Sequence, residues 1–141
     1  MAQIKFSDTK PELMGVIDLP GFREEFLSNS AVLDANQYRQ QWGAAIEAIN
    51  KGEDRVLVTS WGPRPGSEAI SGRGYVFYWV GPDEVAIQET LLVNKFFFDD
   101  PERPSLDAIK VPEREVEVDG EAVSEWTATR HDIHELAESL R

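Results

Sequence analysis

The sequence predicts an α+β fold: one domain, residues 1–141, with an antiparallel sheet of about five to six strands and helices packed mainly on one face. Short apolar or alternating runs between Arg55 and Thr129 are separated by turn residues, as consecutive antiparallel strands are. The strongest helical periodicities lie on either side of that run, which segregates helices from strands. With 141 residues, 41% of them hydrophobic and 28% charged, the chain suits one globular domain whose core needs no metal or disulfide staple.

Taken in order, "GVIDLPGFREEFL" reads as a short strand followed by a brief helix with Phe22 and Phe26 on one face. "LDANQYRQQWGAAIEAINKG" is the clearest helix. Asp34 caps it, Gln37 completes a capping box, and Gly52 is placed to close its C-terminus. Tyr38, Trp42, Ala45, Ile46 and Ile49 recur at helical spacing and predict a buried stripe. "RVLVTSW" and "GYVFYWV" are strands. "EVAIQETLLVNKFFF" is a third, broken near Asn94. "REVEV" and "EAVSEWTAT" flank Asp119-Gly120, the pair favoured in a type I′ hairpin turn, and in that register Val116 and Val118 share a face with Val123. The last helix is capped by Thr129, with Ile133, Leu136, Ala137 and Leu140 as its stripe.

The segment "SWGPRPGSEAISGRGYVFYW" invites a phosphate-loop reading. A Walker loop ends in Gly-Lys-Ser or Gly-Lys-Thr and opens a helix, so that backbone N–H groups face the phosphates. Here no lysine lies between Lys51 and Lys95, and Gly74 opens a strand. Gly62 to Gly74 is therefore predicted to be a long hairpin loop. The pair His131 and His134 has neither a third histidine nor a cysteine to complete a metal set, and is expected to face solvent. Thr59 and Ser60 lie in a strand with no nearby histidine, so no nucleophile elbow is seen. The four tryptophans, Trp42, Trp61, Trp79 and Trp126, read as core rather than ligand cage. No cofactor, metal site or catalytic residue is predicted.

Charge says more than any motif. The chain has 26 acidic and 14 basic residues, net −12. That argues against nucleic acid and anionic lipid as partners, because both select cationic surfaces. It favours a cationic one. From Asp99 onward thirteen acidic residues face five basic ones, a net −8. Glu113, Glu115, Glu117 and Asp119 are expected to alternate outward along one hairpin strand. A solvated edge strand that guards against aggregation and a partner-binding surface both fit this pattern. No cysteine, no long apolar run and no apolar N-terminal h-region lead to the expectation of a cytoplasmic chain without a membrane span.

These residues carry a resemblance. A Tyr-x-x-x-Trp helix (Tyr38 to Trp42) is followed, after Gly52, by an apolar strand. An aromatic strand then leads to a Val-x-x-Gln strand (Val85 to Gln88), and Ser124-Glu125-Trp126 precedes the final helix. In this order, from about residue 31 onward, the chain resembles the CdiI immunity proteins of contact-dependent growth inhibition. It is similar to the subgroup paired with ribosomal-RNA-cleaving toxins, although Glu89 stands where that pattern has asparagine. The resemblance implies a protein without catalysis of its own that binds a cognate toxin domain 1:1, the C-terminal domain of a CdiA protein and usually a nuclease. It would block the toxin's active site or substrate path. The acidic charge fits a cationic nuclease as partner. The toxin-binding residues expected on that reading are Asp99, Asp100, Glu102, Glu113, Glu115 and Glu117, helped by Glu68. The alternative is a regulatory nucleic-acid- or ligand-binding domain on a similar scaffold; a basic stripe would mark the nucleic-acid form, and the sequence shows none. The loop reading has a direct test: equilibrium dialysis with ATP should show no binding in the micromolar range, and micromolar binding at Gly62–Gly74 would overturn it.

Overall fold

The structure is a computed structural model that describes residues 1–7, 13–63 and 66–141. Its elements alternate little. Strands β1 (Gln3–Phe6), β2 (Met14–Leu19) and β3 (Phe22–Leu27) come first, then helix α1 (Ala35–Asn50). Strands β4 (Arg55–Pro63), β5 (Ile70–Trp79) and β6 (Glu84–Leu92) follow, and then the one-turn helix α2 (Asn94–Phe97). The chain ends with β7 (Glu117–Val118), β8 (Glu121–Ala122), β9 (Trp126–Thr129) and helix α3 (Arg130–Ser139).

This is the expected antiparallel α+β domain, but its strands are shared out. They form a three-stranded sheet β1-β2-β3, a four-stranded sheet β4-β5-β6-β9 and a separate ribbon β7-β8, rather than one sheet of five to six. The segment read as a brief helix is β3. Phe22 and Phe26 suit a helix face, but the alternation Phe22-Glu24-Phe26 suits a strand equally well. Pro20-Gly21 decides the matter, with Gly21 at φ 78 as a type II turn requires, and Leu19 pairs with Phe22 across it. β1 was not anticipated. It pairs with β2 from Gln3↔Asp18 to Phe6↔Gly15 and buries Ile4 and Phe6.

The helices follow their sequence signals. Asp34 accepts from the Gln37 N–H and Gln37 returns to the Asp34 N–H, both at 2.9 Å. All five predicted stripe residues of α1 are buried, and Gly52 has φ 97. Thr129 and Asp132 form the same reciprocal cap on α3. Ile133, Leu136 and Ala137 are buried, with Leu140 packed partly against the core.

The main sheet is covered on both faces, which explains the near-continuous apolar runs in β5 and β6. By register, Leu57, Tyr75, Phe77, Ile87 and Trp126 share one face. Onto it pack α1, whose Ile49 carbonyl accepts from Trp79 Nε1 at 3.0 Å, and β3, whose Phe22 ring lies 4.4 Å from Trp126. The other face carries Val56, Val76, Tyr78, Ala86 and Gln88. The irregular segment after α2 covers that face. Phe98 packs on Trp61 at 5.6 Å, while Leu106, Ile109 and Val111 lie against the core.

The predicted Gly62–Gly74 loop is mostly strand. β4 and β5 pair through to Pro63↔Ile70, leaving a short connection. The glycines serve close approach instead. A β-bulge shifts the register between Val58 and Ser60, and a Cβ on Gly74 would run into the Leu57 carbonyl oxygen. Trp42 is fully buried and its Nε1 donates to Val58 O at 2.7 Å. Trp42→Ala should cost about 3–5 kcal/mol as a large-to-small core change. Trp42→Phe, which keeps most of the volume but strands a carbonyl, should cost about 1–3 kcal/mol. Urea denaturation measures both, and a Trp42→Ala protein that melts like the parent would contradict this packing.

Candidate functional site

The seven nominated carboxylates are all exposed, and the fold presents them on three segments. Phe97 and Phe98 are buried and anchor the start of the first. Lys110 N–H donates to Phe97 O at 2.7 Å and Lys110 Nζ lies 3.2 Å from Asp99, so the chain leaves and returns at one point, like an Ω-loop. Asp99, Asp100 and Glu102 sit on this loop. Asp99 has Lys110 as its partner, whereas Asp100 and Glu102 have no cation in ion-pair range among the described residues. Glu68 lies on the connection between β4 and β5.

Glu113, Glu115 and Glu117 approach the ribbon. The expectation of one outward row on a single strand needs correcting. β7 is only Glu117–Val118, because the ribbon pairs just two residues on each side and one further backbone bond, Val123 N–H to Val116 O at 3.0 Å. The turn is as expected, with Asp119 at φ 52 and Gly120 at φ 81, the two positive values of type I′. Arg114, between the acids, turns to the domain. Its guanidinium forks onto Glu125 at 2.9 and 2.6 Å. Gln88 Nε2 then donates to Glu125 at 2.8 Å and to Glu115 O at 2.9 Å. This network ties the base of the ribbon to β6. Glu113, Glu115 and Glu117 themselves find no cation among the described residues.

The groups do not form one cluster. Pro101 and Ala69 border a common cleft of about 1040 Å³, so the Asp99–Glu102 loop and the Glu68 connection flank the same opening. Glu113 borders a different depression, with Asp54, Tyr78 and Pro112. The large cleft lies between β3 and the ends of β5 and β6. Its walls hold Phe26, Leu27 and Leu91, with Glu25 and Glu89 against Arg73 and Lys95. Its charge is mixed. Sequence reasoning missed it, since Leu27 becomes a surface residue only once β3 is a strand.

The electrostatics follow from these contacts. The Arg114 hydrogen bonds hold the Glu125 carboxyl below the usual range, against a smaller opposing effect of burial. Burial, followed by the nearby Asp54 and Glu115 charges, pushes the Tyr78 hydroxyl up to about 12. His131 and His134 face solvent, as expected, 3.4 Å from Glu135 and 3.7 Å from Glu138. Trp42 and Trp61 are buried, and Trp79 and Trp126 are partly so and packed on the core. Among the described residues no group of three or more His, Asp or Glu side chains could hold a metal ion. Among the described residues no helix is long and apolar enough to cross a membrane.

Fold and surface thus define a small α+β domain that displays carboxylates on irregular, well-anchored segments. Comparison with known proteins specifies it further. The family model described as the CdiI N-terminal domain matches residues 28–136. A solved structure, the CdiA-CT/CdiI toxin and immunity complex from Enterobacter cloacae, contains a chain similar in fold. That chain is 18% identical with a TM-score of 0.75, over 99% of this chain and 98% of that one. The search of curated proteins gave no match. The chain belongs to the CdiI N-terminal domain family, the one its helix and strand order resembles.

Glu125 supplies a pH test. Its carboxyl titrates lower in the folded state than in the unfolded chain. The Arg114–Glu125 contribution is therefore fully present above the unfolded value and is lost as pH falls through the folded one. Arg114→Gln should lower stability by about 0.5–1 kcal/mol near neutral pH, as for an exposed but well-formed pair. In urea titrations the difference from the parent should vanish as pH drops through the carboxylate range. A constant difference at all pH values would assign the effect to packing of the Arg114 stem.

Proposed function

We propose that this chain is an immunity protein that binds the toxin domain at the C-terminus of a cognate CdiA protein 1:1 and neutralises it without catalysis of its own. The toxin is a cationic nuclease, and binding blocks its active site or the path of its substrate. The observation that carries this reading is the surface of the last third of the chain, where Asp100, Glu102, Glu113, Glu115 and Glu117 stand exposed without a cation partner among the described residues. Family membership supports it.

Exposed like charges destabilise a fold slightly, by repulsion. They are useful when a partner of opposite sign approaches. Complementary fields raise the rate of encounter and reject wrong partners. A nuclease that grips a polyanion has such a cationic surface, and an acidic inhibitor competes for it. The binding residues proposed are Asp99, Asp100, Glu102, Glu113, Glu115 and Glu117, with Glu68 at the margin. The protein acts in the cytoplasm, where a nuclease meets its substrate, and needs neither cofactor nor nucleic acid.

The test is charge reversal. Glu113→Lys, Glu115→Lys and Glu117→Lys are combined in one variant, and its folding is confirmed by thermal melting. The probe is the purified C-terminal toxin domain of the candidate cognate CdiA protein. Association should slow at least about tenfold at low salt, and its salt dependence should flatten, because screening acts beyond about 8–10 Å. Cells expressing the variant should lose protection. An unchanged on-rate with full protection would move the docking surface to the cleft beside β3.

A further inference from the structure

The ribbon β7-β8 has two chemically different faces. By register Glu117 pairs with Ala122 and Val118 with Glu121, and Val123 N–H bonds Val116 O beyond them, so Val116, Val118, Glu121 and Val123 share one face, and Glu117 and Ala122 lie on the other. In a hairpin with one apolar face, that face is expected to lie on a core. Here Val116 is 59% exposed and Val118 46%. The ribbon belongs to neither larger sheet. It is tied down at its base, through Arg114, Glu125 and Gln88, while the apolar side of its outer strand is left in water. A two-stranded ribbon this short is marginal alone, and valines exposed to this degree add less to folding than buried ones.

We infer that Val116 and Val118 form the apolar anchor of the interface with the cationic toxin domain, a ridge that enters an apolar depression in the partner while the surrounding carboxylates meet its cations. This rests on the function proposed above. Charge selects the occupant. Between Glu113 and Glu121 the segment carries Glu113, Glu115, Glu117, Asp119 and Glu121, and its one cation, Arg114, is already forked onto Glu125. A second copy of the chain, seated ribbon to ribbon, would bring these like charges together on a body of net charge −12. Phosphate backbones and anionic lipid would be repelled for the same reason. A cationic protein surface remains. The two residue types divide the work of binding. Carboxylates act at long range and govern how fast the partner arrives. Valines act only in contact and govern how slowly it leaves.

The experiment uses the full chain and the purified C-terminal toxin domain of the candidate cognate CdiA protein. Val116→Thr and Val118→Thr are combined, because threonine keeps the shape and strand preference of valine while making the ridge polar. The variant should melt like the parent. Its association rate should stay within about twofold and its dissociation rate should rise about tenfold or more. If the parent binds and the variant dissociates at the same rate, the anchor is refuted while the immunity function stands. If the parent does not bind this domain at all, both fall. Light scattering on the free chain provides the other check. A monomer is expected; a dimer in the parent that the double variant abolishes would make the ridge a self-association surface and overturn the inference.

Discussion

The open edge of β4 is the constraint on which the rest of the domain depends. An edge strand exposes a row of backbone donors and acceptors that must be satisfied or covered. Here one helix supplies the partners. Gln41 acts as a substitute strand, donating to Val56 O at 2.9 Å and accepting from Val58 N–H at 2.8 Å. Trp42 adds its indole N–H to Val58 O. Beyond the bulge, Tyr38 Oη accepts from Trp61 N–H at 2.9 Å and donates to Asn29 O at 2.6 Å. Tyr38, Gln41 and Trp42 are spaced as neighbours on one helix face, so one helix orientation serves all three. The remaining places are taken by the chain that follows β3, where Ser28 Oγ donates to Thr59 O and Asn29 N–H to Ser60 Oγ at 3.0 Å.

Sealing this edge fixes where everything else goes. α1 is held at β4 and lies over one sheet face, and the Phe6 and Phe26 rings of the N-terminal sheet pack on Trp42 at 4.8 and 5.7 Å. α3 follows β9 directly, and Arg141 beyond its end reaches back to Glu47 of α1 at 2.9 Å. With the helices committed to one face, the other is left to the irregular segment between α2 and β7. That segment packs Phe98, Leu106, Ile109 and Val111 against the core and turns its carboxylates outward. The outward display of Asp99, Asp100, Glu102, Asp107, Glu113 and Glu115 is thus a consequence of covering a sheet with a loop. A loop can display consecutive charges in many directions, whereas a strand alternates them.

The helices were legible because their signals are local. A capping box, a stripe at 3.6-residue spacing and a terminal glycine lie within one stretch of chain. The Asp119-Gly120 turn was legible for the same reason. What failed needed non-local information. "FREEF" satisfies both periods, and only the pairing of β3 with β2 settles it. Gly62, Gly72 and Gly74 look like loop residues. Their reason is crowding, since a Cβ would meet Asn29 at Gly62, Leu92 and Trp61 at Gly72, and the β4 backbone at Gly74. The sheet was read as one because sequence alternation gives the strands but not which edges meet. Of the candidate site, the exposure of the carboxylates could be read from composition, and the shared face of Val116, Val118 and Val123 from the hairpin register. Whether that face meets a core depends on where the ribbon leaves the domain, which the network at Gln88, Arg114 and Glu125 decides.

That network also shows how an acidic domain remains folded. The carboxylates the fold needs are the partnered ones. Glu125 is forked by Arg114, Asp99 closes its loop with Lys110, and Asp132 caps α3. Of those proposed for binding, Asp99 also closes its loop and Asp100 accepts from the Glu102 N–H at 3.2 Å, whereas the Glu68, Glu102, Glu113, Glu115 and Glu117 carboxylates have no such tie among the described residues. Changing Glu113, Glu115 or Glu117 removes no contact that positions the ribbon side-chain network, because Glu115 takes part through its backbone oxygen alone. Apart from Asp99 and Asp100, the acids that anchor the fold and those proposed for binding are thus different residues, all but Glu68 in the same part of the chain. The exposed like charges left without a cation among the described residues repel one another, a small cost to the fold that the anchoring contacts offset.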